Sequence, residues 1–308
     1  MFFYGFDTLG HLSIEPNAPA IRSHYSFLFS MASLTILMSC AISSGDRPAD
    51  NSINPYPAVG AIPVPAGYRR IQAGADDFAA WLRKIPLKKD RTVYLYDGSP
   101  KHNQDAQFAV LDVSVGHQDL QQCADAVMRL RSEFLYSLKD YLHIDFYTGE
   151  GIRLNFKEWA GGGRVRLKGG QLIRYTLPRA DHFCDNRACF DDYLETVFSY
   201  CGTRSLAKQL IPAPSFNHIH AGDVLIRGGS PGHAMLVMDV AEDAQGRRIY
   251  LLAQSYMPAQ DIHIVNNPSE AGLSPWYRAD SAADIIETPE YTFKINELRT
   301  WPAMPGRL

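Results

Sequence analysis

The sequence is short of charge of either single sign. Across 308 residues, 30 Lys and Arg stand against 33 Asp and Glu, a formal net charge of −3. So small an imbalance gives no basic footprint for nucleic acid, and no nucleic-acid partner is read. Beyond residue 40 there is no run of about twenty apolar residues, which excludes a multi-span membrane protein. Cysteine is scarce, five in the whole chain, far from the density of a disulfide-stapled scaffold. No HExxH, no paired CxxC and no glycine loop closed by lysine and Ser/Thr occurs, so no contiguous motif spells out a metal or phosphate site, and no cofactor is read. What remains is 46% apolar and 20% charged, the profile of a globular protein with a sizeable core. The length suits one large domain or two ordinary ones, and no internal repeat is present.

The N-terminus carries the one concentrated apolar stretch. Residues 25–40, "YSFLFSMASLTILMSC", follow Arg22 and His24 and have the length of a signal-peptide core rather than a membrane span. The ending "LMSC", followed by Ala41, resembles the bacterial lipobox. That resemblance implies cleavage before Cys40, lipidation of Cys40 and anchoring to a membrane surface. Alanine rather than aspartate after the cysteine resembles the sorting pattern of lipoproteins in the outer membrane, facing the periplasm. Residues 1–21, with two acidic groups and two prolines, are unlike the start of a signal and fit a start site placed too early. Residues 1–40 are thus read as a signal and lipobox segment, and residues 41–66, rich in Pro, Ser, Asn and Gly, as a flexible tether.

Two folded regions follow, 67–178 and 179–308, together α+β in class. In the first, "DDFAAWLRKIP" predicts a short helix stopped by Pro86, and "TVYLYD" and "FAVLDVSV" predict strands. A long helix is predicted over 118–141. Cys123, Val127, Leu130, Phe134, Leu138 and Tyr141 recur on one apolar stripe, which assigns Cys123 to the core. "HIDFYTG" and "GIRLNF" read as strands, and "KEWAGGGRVRLKGG" as a surface loop. In the second region "ACFDDYLETVFSYCG" predicts a helix ending at Gly202, with Asp191 and Asp192 suited to its positive end; "GTRSLAKQLIP" predicts a short one. Strands are then expected at 222–227, 233–241, 248–256, 260–265 and 288–295, paired antiparallel through a hairpin at "EDAQGR". Cys184 and Cys189 are close enough in sequence to form a bridge.

The candidate chemistry centres on "GGSPGHAMLVMDV", where His233 opens a buried strand. The phrases "CFDDYLETVFSYCG", "AGDVLIRGG", "GHAMLVMDVA" and "LLAQSY" resemble papain-like hydrolases of the NlpC and CHAP type. The resemblance implies a papain-like, NlpC-type helix with an antiparallel sheet or half-barrel. It also implies a nucleophilic cysteine opening a helix, a histidine opening a strand, and a polar group that orients the imidazole: here Cys189, His233 and Gln254. A helix N-terminus lowers a thiol pKa and an adjacent imidazole takes its proton; the partner on the other ring nitrogen fixes the tautomer. The sequence departs from the family at the nucleophile, with Arg187-Ala188-Cys189-Phe190 in place of Asp-Cys-Ser-Gly. Tyr256 and Trp276 are expected to line the cleft. The chain as a whole also resembles an uncharacterised bacterial lipoprotein family, through "DLQQCADAVMRLRSEFLY", "YLETVFSYCGTRSL", "GDVLIRGGSPGHAMLVMDV" and "LLAQSYMPAQDIHI".

Three functions are therefore set side by side. The first is a lipid-anchored cysteine hydrolase acting on cell-wall peptide or amide bonds. The second is an inactive envelope lipoprotein that uses the same cleft to bind a ligand or partner. The third is a metal enzyme, with His218 and His220 of "HIH" joined by His182, Asp185, His233 or His263.

Overall fold

In a computed structural model of the chain, residues 53–178 and 183–304 are described. The signal and lipobox segment with Cys40, and His182, lie outside them.

The first part supplies β1 (Tyr68–Arg70), α1 (Phe78–Lys84), β2 (Gln107–Val110) and α2 (Cys123–Ser137). Helix α2 is shorter than the apolar stripe suggests, for local reasons at both ends. Gln122 is its N-cap, and the Gln122 backbone N–H donates to Asp125 Oδ2 at 3.0 Å, so the helix starts at Cys123 rather than at Gln118. At the other end Lys139 takes a φ of +56°, a left-handed step that ends a helix. "TVYLYD" forms only isolated bridges, Tyr94 with Pro100 and Leu95 with Gln260.

Next come β3 (Asp145–Tyr147), β4 (Arg153–Asn155), α3 (Phe156–Ala160), β5 (Gly163–Lys168), β6 (Gln171–Thr176), α4 (Arg187–Tyr200) and α5 (Thr203–Gln209). The expected surface loop at "KEWAGGGRVRLKGG" is instead helix α3 and strand β5. The alternation Arg164, Val165, Arg166, Leu167, Lys168 pairs with β6 in full register, from Gly163 opposite Thr176 to Lys168 opposite Gln171. Gly169 and Gly170, both with positive φ, make the turn between them.

The remainder is β7 (Ile211–Pro212), β8 (Val224–Arg227), β9 (His233–Asp243), β10 (Arg248–Gln254), β11 (His263–Val265), β12 (Tyr277–Arg278), β13 (Ile285–Glu287), β14 (Thr292–Lys294) and β15 (Leu298–Thr300). The principal sheet runs β2-β11-β10-β9-β8-β15-β7, with β1 on β9 and β12 on β10, and every pairing is antiparallel. The chain is α+β with antiparallel sheets, as its pattern implies. The division at 178/179 does not separate two sheets: β1 and β2 belong to the same sheet as β8–β11, and the described residues form one compact unit.

Strand β9 explains the unbroken apolar run that marks the sequence. Ala234, Leu236, Met238 and Ala241 face the core shared with Val127, Leu130 and Phe134 of α2. Met235, Val237 and Val240 face a second core with Tyr250, Leu252, Phe293 and Leu298. A strand buried on both faces carries no polar alternation. Between 238 and 241 the phase slips by one: Leu251 pairs with Asp239 but Leu252 with Val237, a β-bulge at Met238–Asp239. Fully buried Asp239 is held there by Arg70 Nε and Arg83 Nε, each at 2.6 Å.

Candidate functional site

The β8–β9 turn brings His233 into place. Gly232 precedes it where no side chain fits: a Cβ would lie 2.5 Å from Gly229 O, 2.6 Å from Thr203 Oγ1 and 2.8 Å from Arg227 O. The glycine-rich phrase is thus required by close packing of the turn against α5. His233 shares its face of β9 with Met235 and Val237, and Gln254 shares that face of β10 with Leu252. On the next strand His263 stands directly opposite Gln254. Three polar side chains thereby converge at one end of the sheet.

His233 Nε2 lies 2.8 Å from Gln254 Oε1. Gln254 Nε2 in turn donates to Glu290 Oε2 at 2.7 Å and lies 3.3 Å from His263 Nε2. Glu290 also receives Lys101 Nζ at 2.5 Å and Asn103 Nδ2 at 3.1 Å. The rings of Tyr256, Tyr291 and Phe293 surround the imidazole, with centroids 4.8, 4.9 and 5.9 Å away. Burial pulls the His233 pKa down to about 4 against the opposing Gln254 hydrogen bond and the Glu290 charge. The ring is neutral at pH 7, and Nδ1 has no hydrogen-bond partner among the described residues.

Two thiols, Cys123 and Cys201, share a cleft with this histidine, and Cys123 is the one at a helix N-terminus. A cleft of about 410 Å³ is lined by Cys123, Asp125, Cys201, His233, Tyr256 and Tyr291, among others. Cys123 is the first residue of α2, so its amide is one of the N–H groups without an intrahelical acceptor. Its sulfur lies beside the backbone amide of Ala234, the neighbour of His233. Burial pushes the Cys123 thiol up to about 11, opposed by the Ala234 amide and aided by the charge of Asp125. Asp125, buried in the first turn of the helix, has its carboxyl pKa raised by desolvation, and its Oδ1 has no partner among the described residues.

The structure does not bring Cys189 to His233. Cys201 lines the cleft at the far end of α4, and Cys189 lies twelve residues earlier, about 18 Å along a helix rising 1.5 Å per residue. There Cys189 is buried in the core beside Cys184, and burial with that neighbouring thiol pushes its pKa up to about 12. All four described cysteines are free thiols. The aromatic after it is the physical reason: Phe190 is fully buried and stacks on Tyr136 at 4.2 Å, which fixes the start of α4 inside the core. Tyr256 does line the cleft. Trp276 does not; it is buried, donates Nε1 to Pro63 O at 2.8 Å and lies under Arg70.

The imidazoles weighed for a metal are dispersed. His220 is exposed and near Asp223, whereas His263 is fully buried with Nδ1 on Asp261 O at 2.9 Å. Among the described residues no three His, Cys, Asp or Glu side chains are grouped to hold a metal. No helix among them is long and apolar enough to cross a membrane.

Sequence reasoning missed Cys123, Glu290 and Lys101. One signal for Cys123 was present: the capping pair Gln122 and Asp125 brackets it and starts the helix there. No curated protein and no solved structure matches the chain. Residues 59–300 match the family DUF4846, and the chain belongs to that family, a domain of unknown function (4846).

Proposed function

We propose that this chain is a cysteine hydrolase of peptide or amide bonds with a papain-like site. Cys123 is its nucleophile, His233 its general base and acid, and Gln254 the group that orients the imidazole. One observation carries the reading: a thiol at a helix N-terminus shares a cleft with a histidine whose Nε2 is held 2.8 Å from an amide oxygen while Nδ1 stays open. The order along the chain, cysteine then histidine then amide, is that of papain-like enzymes of the NlpC type, with Cys123 in the place first assigned to Cys189.

In the proposed reaction His233 Nδ1 takes the proton of the Cys123 thiol as the sulfur attacks the substrate carbonyl carbon. The oxyanion faces the Cys123 amide at the positive end of α2. The proton on His233 then passes to the departing amine, leaving a thioester. Water, deprotonated by His233, attacks the thioester, releases the acid and restores the thiol. Burial favours the neutral thiol and imidazole, so proton transfer accompanies attack rather than preceding it.

Among the described residues the cleft has no Lys or Arg in its lining and presents Asp119, which suits a neutral or cationic peptide. The lipobox-like "LMSC" supports a lipid anchor at Cys40 and an outer-membrane location facing the periplasm, where cell-wall peptides are the available amides. The test is incubation of the full-length protein with peptidoglycan fragments and chromatographic detection of new amines. Cleavage by the native chain and by Cys189→Ala, with none by Cys123→Ala, is expected. Unchanged cleavage by Cys123→Ala removes the mechanism. Peptidoglycan retention without cleavage by the native chain replaces it with the inactive, ligand-binding lipoprotein.

A further inference from the structure

The hydrogen bonds behind Gln254 admit only one arrangement of protons. His263 Nδ1 faces the Asp261 carbonyl at 2.9 Å, and a carbonyl only accepts, so Nδ1 carries the hydrogen. Burial pulls the His263 pKa down to about 3; the ring is neutral, and its Nε2 is therefore an acceptor. Glu290 meets the Lys101 ammonium at 2.5 Å and acts as acceptor only. Both groups consequently require donors from the Gln254 amide, and its two N–H bonds satisfy them, at 2.7 Å to Glu290 and 3.3 Å to His263. Turning the amide over would set its oxygen against a carboxylate and an imidazole lone pair, in a setting too buried for water to relieve it. Oε1 thus faces His233, where Nε2 must carry the hydrogen. The lone pair is left on Nδ1.

We propose that Glu290, seated on Lys101 and Asn103, is a positioning residue that acts with His263 through the Gln254 amide to hold His233 in the tautomer whose Nδ1 is a base. Glu290 touches neither Cys123 nor the imidazole; it works at one remove. The relay joins segments far apart in sequence, the loop before β2, the end of β10, β11 and the turn between β13 and β14. The inference extends the hydrolase reading, but it concerns the proton on an imidazole and is measured without turnover.

The experiment is ¹⁵N NMR of the imidazoles in the full-length protein near pH 7, with His233 assigned by the signal lost in His233→Asn. The native chain is expected to show His233 protonated on Nε2. Two uncharged variants separate the acceptor from the buried ion pair. Lys101→Met with Glu290→Gln keeps an amide oxygen for Gln254 and should keep the Nε2–H signal. Lys101→Met with Glu290→Leu removes the acceptor and should shift His233 towards the Nδ1–H form. Alkylation of Cys123 by iodoacetamide should slow at least about tenfold in the leucine variant relative to the glutamine one. An unchanged Nε2–H signal in the leucine variant, or an Nδ1–H signal in the native chain, overturns the proposal. Loss of peptidoglycan cleavage with the tautomer intact would instead count against the hydrolase reading alone.

Discussion

Cys123 at the head of α2 and Cys189 in the first turn of α4 have similar local settings. Each is buried in the first turn of a helix whose N-cap residue is an amide, Gln122 for one and Asn186 for the other. Each has its thiol pKa raised chiefly by burial. What differs is the ground across from the sulfur. Cys123 faces the β9 backbone at Ala234 and a cleft that holds His233. Cys189 faces Cys184, with Phe190 locked between Tyr136 and Phe156. The helix dipole is common to both and distinguishes nothing; the proposed assignment rests on the sheet end opposite the helix.

That comparison can be broken in several ways. The largest effect expected is on thiol chemistry. Cys123→Ser should remove slow, His233-dependent labelling by a thiol-directed electrophile, whereas Cys189→Ser should leave it within about twofold; for an essential nucleophile the loss is about 10³-fold or more. Mass-spectrometric mapping of the labelled cysteine reads this directly, and label on Cys189 would reverse the assignment. The next effect is on stability. Phe190→Ala should cost about 3–5 kcal/mol in denaturant unfolding and leave the Cys123 labelling rate of the folded protein unchanged.

The pH dependence sharpens the contrast further. A thiol pushed up to about 11 gains thiolate about tenfold per pH unit from neutrality to pH 9. In His233→Asn, where only the thiolate reacts, Cys123 alkylation should climb throughout that range, whereas in the native chain, where neutral His233 takes the proton as the sulfur attacks, it should stay flat between pH 5 and 8. A native rate that climbs as steeply as the variant's would remove His233 as the base. The smallest effect is at Asp125. Its folded-state pKa lies above the unfolded one, so the folded state binds a proton more tightly and loses relative stability as pH rises above the ordinary carboxylate value of about 3.9. Asp125→Asn should therefore raise Tm by a few degrees at neutral pH and by nothing near pH 3, as followed by thermal scans across pH.

Much of the architecture was legible because it depends on local pattern. Strands β8 to β10 announce themselves through Val, Leu, Ile and Met runs, and α4 through its aromatic stripe. His233, Gln254 and Tyr256 could be picked out because each opens, ends or follows such a strand. Cys123 was hidden by the periodicity that revealed its helix: the first residue of an amphipathic helix can sit on the apolar stripe and still open on a cleft. Only the exact start of α2, set by Gln122 and Asp125, separates those two cases. Glu290 and Lys101 carry no pattern, since they meet through loops that neighbour each other only after the sheet has assembled. β5 was read as a loop because glycines at both ends of "RVRLK" outweighed its own alternation.

The bulge at Met238–Asp239 divides β9 into two stretches that keep separate phase. Beyond it lies the length paired with β1 and clamped by Arg70 and Arg83; before it lies the length that ends in His233. Without that slip, the helix-facing set at one end would dictate which residue faced the cleft at the other. The unpaired residue acts as an expansion joint, so that one end of the strand can answer to core packing while the other answers to a hydrogen-bonded imidazole.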